Sequence, residues 1–175
     1  MKRLALLALT CSLFAATVNR GVISAVETSM NKRIDALFPG EQYLLLGHAH
    51  GVYLEGYGAA FTMRLNLAEG PGPSPFLLQL PPSARAALHK KKLERLPALR
   101  SAMREMLVNA AGVMDPVPPN EKIALSVSLL YAPHEDTSGL PSQIVMQAHR
   151  RILLSFLSPS SDRGALAAAV QVQEF

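Results

Sequence analysis

The fold is decided by the stretch Glu41–Leu67, EQYLLLGHAHGVYLEGYGAAFTMRLNL, which has the densest β-type pattern in the chain. From Phe61 to Leu67, apolar and polar residues alternate strictly, as in a strand with one buried and one solvated face. Four glycines interrupt the stretch: Gly47, Gly51, Gly56 and Gly58. We expect two or three antiparallel strands with turns near Gly47–Gly51 and Gly56–Gly58, or else one long strand that bends at its glycines.

Helical patterns flank this stretch on both sides. Before it, Thr28 or Ser29 can cap a short helix that ends at Pro39-Gly40. After it, apolar residues recur every three to four positions from Ala84 to Ala111, which predicts a long helix. Pro97 lies inside this pattern, so we expect either a kink or the start of a second helix there.

Two further strands and a short helix complete the pattern. Residues 123–131 alternate cleanly between apolar and small residues, and Ser142–Ala148 suits a second strand followed by a short helix. Because helices and strand pairs are segregated, we predict an α+β fold. Its antiparallel sheet would have about four to five strands, with the long helix on one face and shorter helices beside it. A single domain would span residues 26–158, and residues 159–175 would form a loose tail.

The N-terminal segment has the pattern of a secretory signal peptide. A basic start, Met1–Arg3, precedes an uncharged apolar run from Leu4 to Val18, which is short for a transmembrane helix. Small residues at Ala15–Thr17 and at Ser24–Ala25 offer cleavage points, so residues 1–25 are assigned to the signal peptide with its cleavage site open. The alternative is a signal retained as an anchor. The chain is therefore expected to be exported, to the periplasm or the extracellular space.

Without this segment, the mature chain would have a lower net charge and no cysteine. Cys11 is the single cysteine, so the mature chain would form no disulfide. Of the 17 Lys and Arg residues, Lys2, Arg3 and Arg20 lie in or beside the segment, and the remaining 14 nearly balance the 13 Asp and Glu residues. This near-neutral balance, with no Trp and 6% aromatic residues, argues against a nucleic-acid partner.

A histidine pair is the first candidate site. In an extended segment, His48 and His50 would share a face and could hold one metal ion. His134, Glu135 and Asp136, in a later turn, could complete the shell if the two turns meet at one end of the sheet. This arrangement predicts a zinc site on His48, His50, His134 and Asp136. The alternative is a pair of solvated turn histidines and a separate acidic loop, because no H-E-x-x-H or paired C-x-x-C motif is present.

A basic helix face is the second candidate. Between Arg85 and Arg104 most charged residues are basic, and the candidate contact residues are Lys90, Lys91, Lys92 and Arg95. Such a face suits an anionic surface, which could be a membrane leaflet, a cell-wall polymer or an acidic partner. The alternative is a solvated helix face.

The phosphate-loop and nucleophile-elbow templates do not match the sequence. The glycine spacings fit neither the Walker loop nor the dinucleotide-binding loop, and the G-x-S-x-G nucleophile motif is missing. We therefore expect an exported, non-catalytic binding or interaction module of the periplasm or cell envelope that needs no cofactor. Its ligand is unknown, and its partner would be an envelope protein or an anionic surface. The alternatives are a metal-assisted hydrolase that uses both turns and a membrane-surface protein held by the basic helix 85–104.

Overall fold

The computed structural model describes residues 18–39, 44–68, 70, 81–133, 135–158 and 160–175. The helices in this part of the chain are α1 (Arg20–Asp35), α2 (Pro82–Val113), α3 (Arg150–Leu154) and α4 (Arg163–Ala169). The strands are β1 (Leu44–Leu45), β2 (His50–Leu54), β3 (Gly58–Asn66), β4 (Lys122–Leu129), β5 (Gln143–His149) and β6 (Gln171–Glu174). No helix of the described residues is long and apolar enough to cross a membrane.

The strands form one open sheet with five strand positions. β1 and β2 share the first position because both pair with β3, and β4, β5 and β6 follow in that order. Every pair is antiparallel except β3 and β4, which run parallel. The predicted α+β class, with a mostly antiparallel sheet, a long helix and shorter helices, is confirmed.

The one parallel pair follows from the position of the long helix in the chain. α2 has 32 residues and lies between β3 and β4, so it can carry the chain back to the end of the sheet where β3 began. Pro97 lies on an exposed part of this helix, and no new helix begins there. The sequence pattern did not predict this parallel pair. A helix between two strands can connect them in either a parallel or an antiparallel arrangement, and the pattern does not say which.

The sheet buries one face against the helices. The alternation in β3 and β4 places every second residue in the core, as predicted for both strands. The buried set on the central strands comprises Phe61, Met63, Leu65, Ile123, Leu125, Val127, Ile144 and Met146, and α2 contributes Leu99, Met103 and Leu107. Residues between them, such as Thr62 on β3, face away from the helices. In the part of the chain that the structure describes, the sheet therefore has one face covered by helices and an opposite face without a helix on it.

Helix α1 is longer than the sequence pattern predicted. It begins at Arg20 and not near Thr28 or Ser29, and the Asn19 side chain caps it by accepting a hydrogen bond of 3.0 Å from the Val22 backbone N–H. The capping residue was misplaced because residues 1–25, which include the start of α1, had been assigned to the signal peptide.

The C-terminal residues also differ from the prediction. The stretch expected to be a loose tail forms α4 and the edge strand β6, although Pro159 itself lies outside the described residues. β6 pairs with β5, with Glu174 opposite Ile144. A bidentate hydrogen bond from Arg100 on α2 holds Glu174 at 2.7 and 2.8 Å. Sequence pattern missed this strand because four residues are too few to show a period.

Candidate functional site

Residues 44–54, which include β1 and β2, form one bulged edge strand. Leu45 on β1 lies opposite Leu65, whereas His50 on β2 lies opposite Thr62. Four residues of the edge strand, 46–49, therefore lie opposite two residues of β3, 63–64, and this mismatch makes the bulge. The chain does not reverse between Gly47 and Gly51, so of the predicted alternatives residues 44–66 form two antiparallel strands, the first of them bulged.

The chain reverses farther on, at the predicted turn Gly56–Gly58. Gly56 and Gly58 have φ angles of +81° and +124°, a region that residues with a Cβ seldom adopt. A Cβ at Gly58 would lie 1.9 Å from the backbone oxygen of Lys122. Gly58 therefore lets the turn approach the first residue of β4.

The bulge and α1 enclose a groove of about 400 Å³, which we call the α1 groove. Its lining residues are Arg20, Glu27, Thr28, Asn31, Lys32, His48, Ala49 and His50. The Ala49 side chain is buried, whereas the side chains of His48 and His50 on either side of it are exposed. The groove therefore presents both imidazoles beside one face of a helix.

Three side chains of α1 fix the floor of the α1 groove. Glu27 accepts a hydrogen bond of 2.7 Å from the Gly51 N–H and one of 2.8 Å from Arg20. Arg20 also donates to the Gly51 carbonyl at 3.2 Å, and Asn31 accepts from the Ala49 N–H at 2.8 Å. These bonds satisfy backbone groups that the outer edge of a sheet leaves unpaired. The bulge is therefore held in place by α1 as well as by β3.

The α1 groove carries an excess of basic groups. Arg20, Lys32, His48 and His50 line it, whereas Glu27 is the one acidic residue among its lining residues. Both carboxylate oxygens of Glu27 already accept hydrogen bonds, one of them from Arg20. Because Arg20 is paired with Glu27, the remaining formal charge among the lining residues is the positive charge of Lys32, so the groove can attract an anion.

The predicted metal ligands do not share one cleft. His48 and His50 line the α1 groove, whereas Glu135 and Asp136 line a separate cleft beside the first turn of α2. His134 lies outside the described residues. Among the residues that the structure describes, no three His, Cys, Asp or Glu side chains form a group that could hold a metal ion. The zinc site on His48, His50, His134 and Asp136 stays a prediction.

The second cleft owes its shape to the loop after β4. Its lining residues are Pro82, Arg85, Ala86, Glu135 and Asp136. Hydrogen bonds from the backbone and side chain of Ser138 hold the pKa of the Asp136 carboxyl below its usual range. His89 contacts the Asp136 carbonyl oxygen through Nδ1 at 2.9 Å. The Ser138 bonds therefore shape the acidic loop, and His89 connects it to α2.

The predicted basic face of α2 is divided between surface and core. Lys90 and Lys91 are exposed, but Lys92 is 0% exposed and Arg95 is also buried. Arg95 donates to the Leu67 carbonyl, and its guanidinium lies 4.6 Å from the centre of the Phe38 ring. Lys92 and Arg95 are therefore unable to contact an external anionic surface in this fold. The helical pattern did not distinguish these two residues from Lys90 and Lys91, because a long basic side chain can also point inward where it finds a hydrogen-bond or ion-pair partner.

Lys92 is held by two residues of the loop that follows β4. Its ammonium forms an ion pair with the Glu135 carboxylate and lies 4.9 Å from the centre of the Tyr131 ring. Burial, with the nearby Glu135 charge, raises the pKa of Tyr131 to about 12. Nothing in the sequence pairs Lys92 with Glu135, because 43 residues separate them.

A smaller cavity of about 160 Å³ lies between the second half of α2 and α4. Its apolar lining residues are Val108, Phe156, Leu157 and Leu166. Glu105 at its rim forms ion pairs with Arg33 and Arg163, so its charges are already matched within the protein. We therefore place the candidate site in the α1 groove, where basic groups outnumber acidic ones.

Compared with known protein families, curated proteins and solved structures, the chain shows no match. The site therefore stands on its geometry alone. Sequence analysis identified the two histidines but missed Arg20, Glu27 and Asn31, which hold the bulge. A usable signal was present, since the core residues Ile23 and Val26 continue the helical spacing of Met30 toward the N-terminus.

Proposed function

We propose that this chain is an exported, non-catalytic binding module of the periplasm or cell envelope, and that the α1 groove binds a ligand with a carboxylate, phosphate or sulfate group. The observation that carries the proposal is that, among the residues that the structure describes, basic side chains outnumber acidic ones in this groove, and its one carboxylate is already hydrogen-bonded. Export rests on the N-terminal sequence pattern, Met1–Val18.

The rigidity of the groove supports a binding role. The Ala49 and Gly51 backbone groups are held by Asn31 and Glu27, so a ligand would need to order little of the protein. Its basic side chains are exposed to water, and exposed charges interact weakly and are screened by salt. We therefore expect modest affinity for a simple anion and a clear decrease in affinity as ionic strength rises.

The test is a titration of the exported protein with inorganic phosphate, and separately with citrate, followed by amide chemical shifts in two-dimensional NMR at constant ionic strength. We expect saturable shifts at Ala49, His50 and Gly51. The double variant Lys32→Glu/His48→Glu should weaken binding at least roughly tenfold, because two basic groups become acidic.

The matched control is Lys91→Glu, a charge reversal on the exposed surface of α2, which should leave the titration unchanged. Equal binding by Lys32→Glu/His48→Glu, or shifts scattered over the whole surface, would contradict the proposal. Zinc chloride serves as a further probe. Stoichiometric zinc binding that is lost on His48→Ala/His50→Ala would favour the metal-dependent alternative over the anion site.

A further inference from the structure

We infer that the signal peptide is removed between Thr17 and Val18, so that the mature protein begins at Val18 and keeps the first turns of α1. This inference rests on the proposed export of the chain. Small residues lie at Ser24–Ala25 as well as at Ala15–Thr17, so a cut after Ala25 is the competing possibility, although it would place Ile23 at the third position before the cut. The position of α1 in the fold separates the two sites.

The residues just before Ala25 belong to the folded domain. Ile23 is 6% exposed and is part of the main hydrophobic core. Arg20 donates to both Glu27 and the Gly51 carbonyl, and Asn19 caps α1. A cut after Ala25 would remove all three of these hydrogen bonds, the cap of α1 among them, and a buried side chain. It would also remove a basic residue of the α1 groove.

Between Ala15 and Asn19, at the end of the apolar run, one bond suits a leader peptidase. Leader peptidases require small side chains at the first and third positions before the cut. Thr17 and Ala15 occupy these positions for the Thr17–Val18 bond, whereas a cut after Ala16 would place Phe14 at the third position. Hydrolysis adds one water across this amide bond, leaving a carboxylate on Thr17 and an ammonium group on Val18.

The fold does not act by shielding either bond, because processing accompanies export and precedes folding. It shows instead which residues the mature domain uses. A leader that ends at Thr17 leaves two residues, Val18 and Asn19, before the first helical residue, Arg20. Those two residues include the cap, so the boundary of the mature chain and the start of α1 nearly coincide.

The test is to express the full chain in a Gram-negative bacterium, to recover it from the periplasm, and to determine its first residue by intact mass and N-terminal sequencing. We expect a single species that begins at Val18. An exported species that begins at Val26, or one that keeps Met1, would overturn the inference while leaving export standing. A chain that stays in the cytoplasm would overturn export itself, and the inference with it.

Two matched variants sharpen the test. Thr17→Leu places a large side chain directly before the proposed cut, and we expect it to reduce the processed fraction roughly tenfold. Ala25→Leu places the same side chain at the competing site, on an exposed position of α1, and we expect processing to be unchanged. The opposite result, in which only Ala25→Leu blocks processing, would place the cut after Ala25.

Discussion

Gly51 allows α1 and the edge strand to approach each other. A Cβ at this position would lie 2.5 Å from a ring carbon of Phe61 and 2.8 Å from a methyl carbon of Ile23. Both of those side chains belong to the core. The absence of a side chain at Gly51 thus lets two core residues close over the strand, and it brings the Gly51 N–H within reach of Glu27.

We expect Gly51→Ala to lower the free energy of unfolding by about 1–3 kcal/mol, because the added methyl overpacks the core. Urea unfolding followed by circular dichroism measures the change. The double variant Gly51→Ala/Phe61→Leu should lose less than the sum of its single variants, since a smaller side chain makes room for the methyl. Fully additive losses would show that the ring contact is not the cause.

The buried ion pair of Lys92 and Glu135 leads to a second prediction at this scale. Lys92→Met should lower the free energy of unfolding by about 3–5 kcal/mol, because the Glu135 carboxylate would remain buried without its partner. Adding Glu135→Leu should restore much of that loss, since two apolar side chains can replace a buried pair. Urea unfolding of the single and double variants tests this. A double variant no more stable than Lys92→Met would argue against it.

At the scale of elements, the two edges of the sheet are treated differently. The β2 edge is covered by α1, whose polar side chains bond to the Ala49 and Gly51 backbone. The β6 edge is short, with 4 residues, and is tied to α2 through Glu174 and Arg100. A covered edge and a short edge both limit pairing with other chains.

The tie between α2 and β6 should make stability depend on pH. The hydrogen bond from Arg100 holds the pKa of the Glu174 carboxyl below its ordinary value of 4.5. Its contribution is therefore present above that value and is lost as the pH falls through the lowered pKa of the folded state. We expect Glu174→Gln to cost about 0.5–1 kcal/mol at pH 7, and the difference from the unmodified protein to shrink toward zero in acid.

Urea midpoints measured between pH 7 and pH 3 test this dependence. Glu94→Gln is the control, because Glu94 is exposed and its ion pair with Lys90 is 3.9 Å long, so its effect should be small at every pH. A Glu174→Gln difference that stays constant in acid would indicate that the tie acts through packing and not through charge.

At the scale of the whole molecule, the central strands β3 and β4 join the two halves of the chain. They form the parallel pair, and their alternate residues meet α2 in one core. Leu125 and Val127 are fully buried there, whereas Ser128 on the opposite face is only partly buried. Disruption of this face should therefore unfold the whole domain.

We expect Leu125→Asp or Val127→Asp to prevent folding, because each buries a carboxylate with no partner in the core. Ser128→Asp should fold, with only a small loss of stability, because its side chain can reach water. Soluble yield and a cooperative thermal transition measure both outcomes. Normal melting of Leu125→Asp would refute the assigned core face, and failure of Ser128→Asp would show that the open face is also constrained.

The accuracy of prediction from sequence differed between parts of the chain for physical reasons. β3 and β4 were predicted because their period of two is sustained over 9 and 8 residues. α2 was predicted from its sustained helical spacing. Pro97 had left open a second helix that starts there, but α2 continues through Pro97, which is exposed. β6 was missed because it is short, and the start of α1 because its apolar residues adjoin the apolar leader.

The candidate site was predicted less completely than the fold. His48 and His50 were identified from their spacing, which is a local property. Their neighbours Glu27 and Asn31 were not identified, because they contact the bulge across 24 and 18 residues of chain. Such contacts depend on how α1 packs, and local patterns carry no record of that packing.

The sequence by itself determined the α+β class, the buried faces of β3 and β4, and the turn at Gly56–Gly58, because periodicity and backbone freedom are local. Only the tertiary structure decided that β3 and β4 run parallel, that Lys92 is buried against Glu135 and Tyr131, and that α1 closes the edge of the sheet. Each of these outcomes depends on which distant side chains and backbone groups are in contact. In this protein, those contacts also make the α1 groove.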